Sequence, residues 1–323
     1  MNIAVVGGAG YVGSVLVREL LKDHSVSVFD LGLYGFHGLP WTPEIYDAKD
    51  AAPDWFERVD AVVNLAGFSN DPIAEFRPDL NWEYNVTTAA KVAWAAKEAG
   101  VKRLIYASSC SLYHSVSSEF DAEVTENHPV YPQWHYSASK YAGELASLAF
   151  NSDEFAVTAL RKGTISGPSP RMRYDLMLNA MYRSAMQNGQ IELHGGGWVY
   201  RPLLGIKDAA RAYQMVLEAP VEIVRGQIFN VVSENKQVRE YAVSVAEVIE
   251  SLNNLVEAEL VDAPASKWVR SYRVSARKIR ESLGWAPRET AYSIARDLAE
   301  ADLPAFDDPT TENIGMVRER YAV

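Results

Sequence analysis

Tyr136 and Lys140 are the side chains of this sequence whose types and spacing best suit proton transfer. Residues four apart on a helix share one face, so the phenol and the ammonium can lie close together. A phenol titrates near pH ~10, and lowering its pKa to about 7 requires ~4 kcal/mol. One cation at ~4 Å supplies that energy at an effective dielectric constant near ~20 but not in bulk water. The sequence therefore predicts that Lys140, in a half-buried cleft, makes Tyr136 a useful base.

Ser109 follows the apolar run 103–107, which predicts a strand that ends in small polar residues. Its hydroxyl could hydrogen-bond a substrate oxygen while Tyr136 removes the proton from that oxygen. Side chains cannot accept a hydride, so any accompanying redox step requires a cofactor. The pattern Tyr-x-x-x-Lys also occurs by chance on solvated helices, so its meaning depends on the elements around it.

The first thirteen residues predict a strand, a tight turn and a helix. The apolar run 3–6 ends in Gly7, Gly10 and Gly13, and Val12 then begins a helical pattern of apolar residues. Glycines at this spacing allow the turn, the close approach of a pyrophosphate and the packing of helix on strand. The free N–H groups at the start of the helix favour an anion. This stretch is therefore a candidate phosphate site.

Asp30 ends the next apolar run, 26–29, about 20 residues beyond the glycines. A carboxylate at this place can hold a ribose diol. The alternative is a strand-terminal aspartate that caps its own turn. Because strand, glycines, helix and acid follow in order, the context favours a dinucleotide site.

Strands and helices alternate along the chain, which predicts an α/β fold with a doubly wound parallel (Rossmann) sheet. The run 59–67 predicts a strand ending in small residues, 81–100 one helix, and 156–160 a further strand. Beyond 161 the elements become shorter. We therefore expect a dinucleotide-binding domain over 1–163, with a return near 204–232, and a smaller C-terminal α+β substrate lobe over 164–323.

The composition is that of an ordinary enzyme, with 48% apolar residues and a net charge of −11. This charge argues against binding nucleic acid, and no stretch approaches the ~20 apolar residues of a membrane span. The chain begins directly with its first strand, without room for a signal peptide, and has one cysteine, so we expect a cytoplasmic protein. The histidines share no spacing that suggests a metal site, and we expect none.

Several short motifs together resemble the extended short-chain dehydrogenase/reductase family, specifically its NAD-dependent nucleotide-sugar epimerase and dehydratase branch. The likeness runs from residue 1 to about 298, and the combination is specific although each motif alone is weak. The motifs are residues 7–13, 64–67, 108–113 and 136–140, extended by 167–168, 201–203 and 283–287.

The resemblance implies an NAD cofactor, a nucleotide-activated sugar as substrate, and roles for individual residues. Catalysis would rest on Ser109, Tyr136 and Lys140. The substrate would meet Ser109, Thr164, Arg201 and Arg270, the last of which is as well explained as a solvated surface charge. The cofactor would meet Gly7, Gly10, Tyr11, Val12, Asp30, Asp47, Ala48, Leu65, Ala66, Gly67, Asn85, Tyr136 and Lys140.

Three departures from the family pattern affect four positions. His114 replaces a usual glycine, and Thr164 replaces an asparagine that often touches the sugar or its phosphates. Cys110 and Ser111 stand where the dehydratases carry an Asp-Glu pair, although Glu119 or Asp121 could reach back to replace it.

The absence of the acid pair counts against a dehydratase, so the resemblance implies a nucleotide-sugar 4-epimerase that acts by transient oxidation at C4. The alternatives are a 4-oxidase or 4-ketoreductase with the same residues and, in another class, a non-catalytic NAD-sensing protein. We also expect a homodimer through a helix bundle. The helices at 81–100 and 136–150 carry apolar residues on more than one face, including Trp94, Leu145 and Leu148.

Overall fold

The structure, a computed structural model, describes residues 1–36, 39–114, 123–252, 258–264 and 270–321. The strands in chain order are β1 Asn2–Val6, β2 Ser25–Asp30, β3 Glu44–Ile45, β4 Ala61–Asn64, β5 Arg103–Ser109, β6 Ala156–Lys162, β7 Thr164–Ser166, β8 Gln190–His194, β9 Tyr200–Gly205, β10 Ile228–Val231, β11 Glu234–Gln237 and β12 Glu259–Ala263. The helices are α1 Tyr11–Leu20, α2 Asp71–Phe76, α3 Pro78–Trp82, α4 Thr88–Glu98, α5 His135–Leu148, α6 Met177–Asn188, α7 Ile206–Glu218, α8 Val221–Val224, α9 Val238–Leu252, α10 Arg277–Leu283, α11 Ala291–Glu300 and α12 Asn313–Tyr321.

Within the described residues, seven strands form the central sheet, in the order β3-β2-β1-β4-β5-β6-β10 with all neighbours parallel. Alternate residues of β1 are apolar on both faces of the sheet, so helices pack on both faces. Ile3 and Val5 pack in the core that contains α1 and α7, whereas Ala4 and Val6 pack in the core that contains α4. Strands buried on both faces are apolar without alternation, as the sequence of β1 is. The predicted doubly wound parallel sheet is confirmed.

The C-terminal part contains two smaller sheets, which the sequence did not predict. Strands β11, β9 and β7 form one, and β12 and β8 form the other. Helices α6, α9 and α11 share a core with them. The domain boundary at residue 163 stays a prediction, and the chain returns to the main sheet through β10, which pairs with β6.

The predicted helix over 81–100 is present, since the backbone stays helical from α3 through α4, but a π-helical turn at Glu83–Thr87, which the sequence did not predict, interrupts its α-helical pattern. The extra residue in this turn gives Asn85 a buried position where its amide donates to the Asn81 Oδ1, the Ser139 Oγ and the Phe68 carbonyl. A π-turn inserted into a helix is often associated with a functional site. Here the side chain of Asn85 in the π-turn connects this helix to Ser139 of α5.

The tail after residue 302, for which the sequence predicted no element, forms α12. Val317 of α12 is fully buried in a cluster with Leu33, Phe68 and Tyr84 of the N-terminal part. The Tyr321 carbonyl accepts a hydrogen bond from Arg77, and its hydroxyl lies 3.2 Å from that of Tyr84. The tail therefore packs across the N-terminal domain. Among all described helices, none combines the length and apolar character that crossing a bilayer requires.

Candidate active site

A cavity of about 390 Å³ lies at the carboxyl ends of β1, β4, β5 and β6 and is closed on its other side by residues of the C-terminal lobe. The glycine turn forms its floor. Gly7 has a φ of +79°, and a Cβ on Gly13 would lie 2.6 Å from the Gly7 carbonyl oxygen, so neither position tolerates a side chain. A Cβ on Gly10 would meet only that same oxygen at 3.3 Å, and any longer side chain would extend toward the cavity.

The start of α1 fits a dinucleotide diphosphate, because the first N–H groups of a helix have no partner within it and the glycines of the turn allow the diphosphate to approach closely. Of the predicted cofactor residues, the cavity is lined by Gly7, Gly10, Tyr11, Val12, Leu65, Gly67, Tyr136 and Lys140. The Tyr11 hydroxyl also donates to the Gly167 carbonyl oxygen at 2.7 Å and accepts from Asn179 at 3.0 Å. These bonds tie the start of α1 to the C-terminal lobe.

The other predicted cofactor residues, Asp30, Asp47, Ala48, Ala66 and Asn85, do not line this cavity. Asp30 holds the backbone instead, because its two carboxylate oxygens accept from Ala9 N at 3.0 Å and Gly32 N at 2.9 Å. It therefore caps its own turn and also orients the glycine turn. Burial raises the pKa of the Asp30 carboxyl, and these two hydrogen bonds oppose the rise only in part.

Asp47 accepts from Lys49 N at 3.1 Å and from the Tyr84 hydroxyl at 2.8 Å. Ala48 is buried behind it. Asn85 is completely buried behind the cavity wall, where its amide supports Ser139 of α5. The structure thus places Asn85 among the groups that position α5.

Ser109, Tyr136 and Lys140 line the cavity together. Ser109 ends β5, where its hydroxyl donates to the Ser111 Oγ at 2.9 Å and accepts from Ser111 N at 3.1 Å. The Lys140 ammonium lies 4.5 Å from the centre of the Tyr106 ring. Helix α5 is anchored by Glu144, whose carboxylate accepts from Ser108 and forms a buried ion pair with Arg161 of β6.

The pKa of Tyr136 differs from the sequence-based expectation. Burial raises it to about 12, and a hydrogen bond with Ser109 opposes the rise only in part. Lys140 is itself desolvated, and burial together with the neighbouring Lys162 lowers the pKa of Lys140 to about 7. The prediction that Lys140 alone lowers the pKa of Tyr136 is wrong for the ligand-free protein. The reason is that the surrounding protein excludes water more completely than a half-buried cleft does, and desolvation disfavours both charged forms.

Lys162 was not predicted as a site residue. It ends β6, pairs in register with Ser109, and lines the cavity. Within the described part of the chain neither Lys140 nor Lys162 forms an ion pair with a carboxylate. Strand pairing, which brings residues 109 and 162 side by side, carries no local sequence signal.

Four arginines line the cavity, of which the sequence indicated only Arg201 and Arg270. Arg270 is 5% exposed and forms an ion pair with Asp71, so its interpretation as a solvated surface charge is wrong. Arg201 donates to the Thr164 hydroxyl at 3.4 Å. Among the residues that the structure describes, the buried Nε atoms of Arg201 and Arg270 have no hydrogen-bond partner, which leaves donors for an anion.

Arg171 and Arg173 follow the Gly-Pro turn at 167–168 and were missed. Arg173 pairs with Asp175, whereas Arg171 stacks 3.9 Å from the centre of the Tyr34 ring and donates to Asn313 of the tail. The Nε of Arg171 also has no hydrogen-bond partner within the described ranges. The dense Pro and Arg composition of 168–173 was the available sequence signal for these two side chains.

The positions of the dehydratase acid pair hold no carboxylate here. Cys110 is fully buried, its thiol lies 3.2 Å from the Arg161 carbonyl oxygen, and burial raises its pKa, so it is a packed side chain. Ser111 lines the cavity, and its carbonyl oxygen lies 3.0 Å from the His114 Nδ1. Glu119 and Asp121 lie outside the described residues. Among the residues that are described, no three His, Cys, Asp or Glu side chains converge as metal ligands would.

Fold and cavity together define an NAD-dependent enzyme with a Rossmann domain and a capping lobe. Residues 3–231 match the NAD dependent epimerase/dehydratase family, and the chain belongs to that family. Relatives include a UDP-glucose 4-epimerase of Lactobacillus helveticus, 26% identical over 89% of this chain and 92% of the relative. A dTDP-glucose 4,6-dehydratase of Neisseria gonorrhoeae is 26% identical over 90% and 92%.

Solved structures show the same fold. The UDP-glucose 4-epimerase of Thermotoga maritima superposes with a TM-score of 0.80 at 21% identity, over 93% of this chain and 98% of that one. A dTDP-glucose 4,6-dehydratase of Streptomyces venezuelae with bound NAD gives 0.79 at 23% identity, over 93% and 97%. The resemblance and the NAD cofactor predicted from the sequence are confirmed, whereas the individual site residues stay predictions.

Proposed function

We propose that this protein is an NAD-dependent nucleotide-sugar 4-epimerase that acts by transient oxidation at the sugar C4. The observation that carries the proposal is the placement of Ser109, Tyr136 and Lys140 in one cavity with the glycine turn, without an acid pair at Cys110 and Ser111. The buried arginines of the cavity suit a diphosphate, because guanidinium groups bind its oxygens in a bidentate manner.

Bound NAD supplies the hydride acceptor. Ser109 orients the C4 hydroxyl, and Tyr136 removes the hydroxyl proton and later returns it. Because the phenol of Tyr136 is protonated, it passes its own proton to the neutral amine of Lys140 as it takes the hydroxyl proton, and both transfers reverse when the hydroxyl forms again. The pKa of Lys140, about 7, allows this lysine to change charge near neutral pH. The arginines would hold the diphosphate while the keto sugar turns its other face toward the cofactor, which could then return the hydride to that face.

A 4-oxidase or 4-ketoreductase would use the same residues, but it would leave a net change in the redox state of the cofactor. A non-catalytic NAD-sensing protein would have no need of Ser109, Tyr136 and Lys140 in one cavity. The chemical test is incubation with NAD and UDP- or dTDP-hexoses, followed by mass spectrometry and NMR of the sugar. We expect a C4 epimer of unchanged mass from the wild type and none from Tyr136→Phe. A product lighter by one water would identify a dehydratase, and stoichiometric NADH an oxidase.

We also propose a two-fold homodimer through α4 and α5. Trp94 is 37% exposed and Leu145 is 49% exposed, whereas Leu148 packs against the core of its own chain. Exposed apolar side chains on two adjacent helices suit an isologous interface. Sedimentation at micromolar concentration should show a dimer, and Leu145→Glu should shift it to the monomer. A wild-type monomer would contradict the proposal.

Within the described residues the one cysteine is buried and unpaired, which suits a reducing cytoplasm.

A further inference from the structure

Lys162 lines the cavity next to Ser109. It is the register partner of Ser109 on the adjacent parallel strand, so the two residues lie about 4.8 Å apart across the sheet. Successive side chains on a strand point to opposite faces. Since Arg161 points to Glu144 of α5, Lys162 points the other way, and its ammonium lies 5.7 Å from the centre of the Tyr213 ring. The mechanism above gives this lysine no role.

The ammonium of Lys162 has no carboxylate partner among the described residues. Burial lowers its pKa to about 8, so the group is still mostly protonated at neutral pH. A desolvated cation is unfavourable unless an anion compensates it. An anionic group of a ligand in the cavity could compensate the charge of Lys162.

The charges around the cavity can be compared with those of the two nucleotides. With Lys140 neutral, as its role as proton acceptor requires, five cationic side chains line the cavity against the two carboxylates of Asp71 and Asp175. The four phosphates of a dinucleotide and a nucleotide sugar carry about one negative charge each, and the oxidised nicotinamide carries one positive charge. These charges sum to about zero, so the unpaired Lys162, and not the total charge, indicates an acidic sugar. The five cations are Lys162, Arg171, Arg173, Arg201 and Arg270.

The third observation is the lack of carboxylates at positions 110 and 111. Elimination of water across C5 and C6 requires an acid near the leaving C6 hydroxyl. Cys110 is buried away from the cavity, and Ser111 is too weak an acid. A sugar whose C6 is a carboxylate has no C6 hydroxyl to lose, so a site for such a sugar has no use for this acid.

We propose that the sugar is a hexuronic acid, and that the Lys162 ammonium binds its C6 carboxylate, with the Thr164 hydroxyl beside it. This inference rests on the proposed function and names its substrate class. The carboxylate replaces the missing counter-ion of Lys162, and the diphosphate remains with the arginines. Charge-assisted hydrogen bonds of a half-buried ammonium discriminate against an uncharged hydroxymethyl group.

The test compares matched substrates that differ only at C6. UDP-glucuronic and UDP-galacturonic acid are compared with UDP-glucose and UDP-galactose, and dTDP forms are run in parallel. Epimers are quantified by NMR, and binding is measured by calorimetry with Tyr136→Phe. We expect the uronic acids to be preferred at least tenfold in kcat/KM and in affinity. Lys162→Met should lower that preference ratio at least tenfold, Lys162→Arg should retain part of it, and the exposed Lys102→Met should leave it unchanged.

Each contrary result shows whether the hexuronic-acid substrate, the epimerase activity or both are wrong. Epimerisation of neutral hexoses without a preference for uronic acids would overturn the hexuronic acid and leave the epimerase. An unchanged preference ratio in Lys162→Met would remove Lys162 from recognition. Release of carbon dioxide from the uronic acid would support the substrate class and overturn the epimerase. Failure of all these nucleotide sugars to bind would overturn both.

Discussion

Replacement of Lys140 by methionine should stabilise the ligand-free protein while abolishing its activity. Lys140 is 6% exposed and has no carboxylate partner among the described residues, and its pKa falls from the ordinary 10.5 to about 7. The unfolded chain therefore binds a proton that the folded protein holds weakly. Since the unfolded state binds more protons between these two pKa values, stability rises with pH across this interval.

The magnitude follows from the two pKa values. One pKa unit corresponds to about 1.4 kcal/mol, so the linkage relation gives a destabilisation of ~4 kcal/mol at pH 7 and ~2 kcal/mol at pH 9. Methionine has a similar volume and no charge, so Lys140→Met should recover these amounts. Loss of the interaction with the Tyr106 ring offsets about 1 kcal/mol. We expect a net gain of ~3 kcal/mol at pH 7 that shrinks by ~2 kcal/mol at pH 9.

Urea unfolding of the NAD-free protein at both pH values measures this difference, with Lys102→Met as the matched exposed control. The turnover of Lys140→Met should fall at least about a hundredfold, because the proton relay with Tyr136 is lost. A destabilised variant at pH 7, or a gain that does not shrink at pH 9, would refute the argument that the buried ammonium carries this cost.

Three further predictions follow, two from the site and one from the buried Glu289, whose carboxylate accepts from Asp208 N at the start of α7. Tyr136→Phe should bind NAD normally, as measured by calorimetry, but turn over at least about a hundredfold more slowly; near-normal turnover would remove Tyr136 from the mechanism. NAD(H) should bind more tightly than NADP(H) in fluorescence titrations, because the carboxylate of Asp30 beside the glycine turn repels a 2′-phosphate; equal or tighter binding of NADP(H) would show that the buried Arg171 outweighs it. Burial raises the pKa of Glu289 from 4.5 to about 7, so its contribution to stability is lost as pH rises between these values. Glu289→Gln should therefore be more stable than the wild type by up to ~3 kcal/mol at pH 8 but not at pH 4 in urea unfolding; a constant difference would contradict this.

Local patterns determined much of the fold and the outline of the site. The β-branched run before Gly7 and the apolar period after it predict strand, turn and helix because these depend on neighbouring residues alone. The four-residue spacing likewise places Tyr136 and Lys140 on one face of α5. The NAD cofactor and the family followed from such motifs in combination, and both are confirmed.

Only the tertiary structure decided the electrostatics and the long-range contacts of the site. The pKa values of Tyr136 and Lys140 depend on how much water the packed lobes exclude, which no spacing along the chain specifies. The register of β5 and β6 places Lys162 beside Ser109. Arg270 donates a hydrogen bond to Asp71, from which it is separated by 199 positions in the sequence. Helical and strand periods are local, whereas desolvation and strand register arise when distant segments pack together.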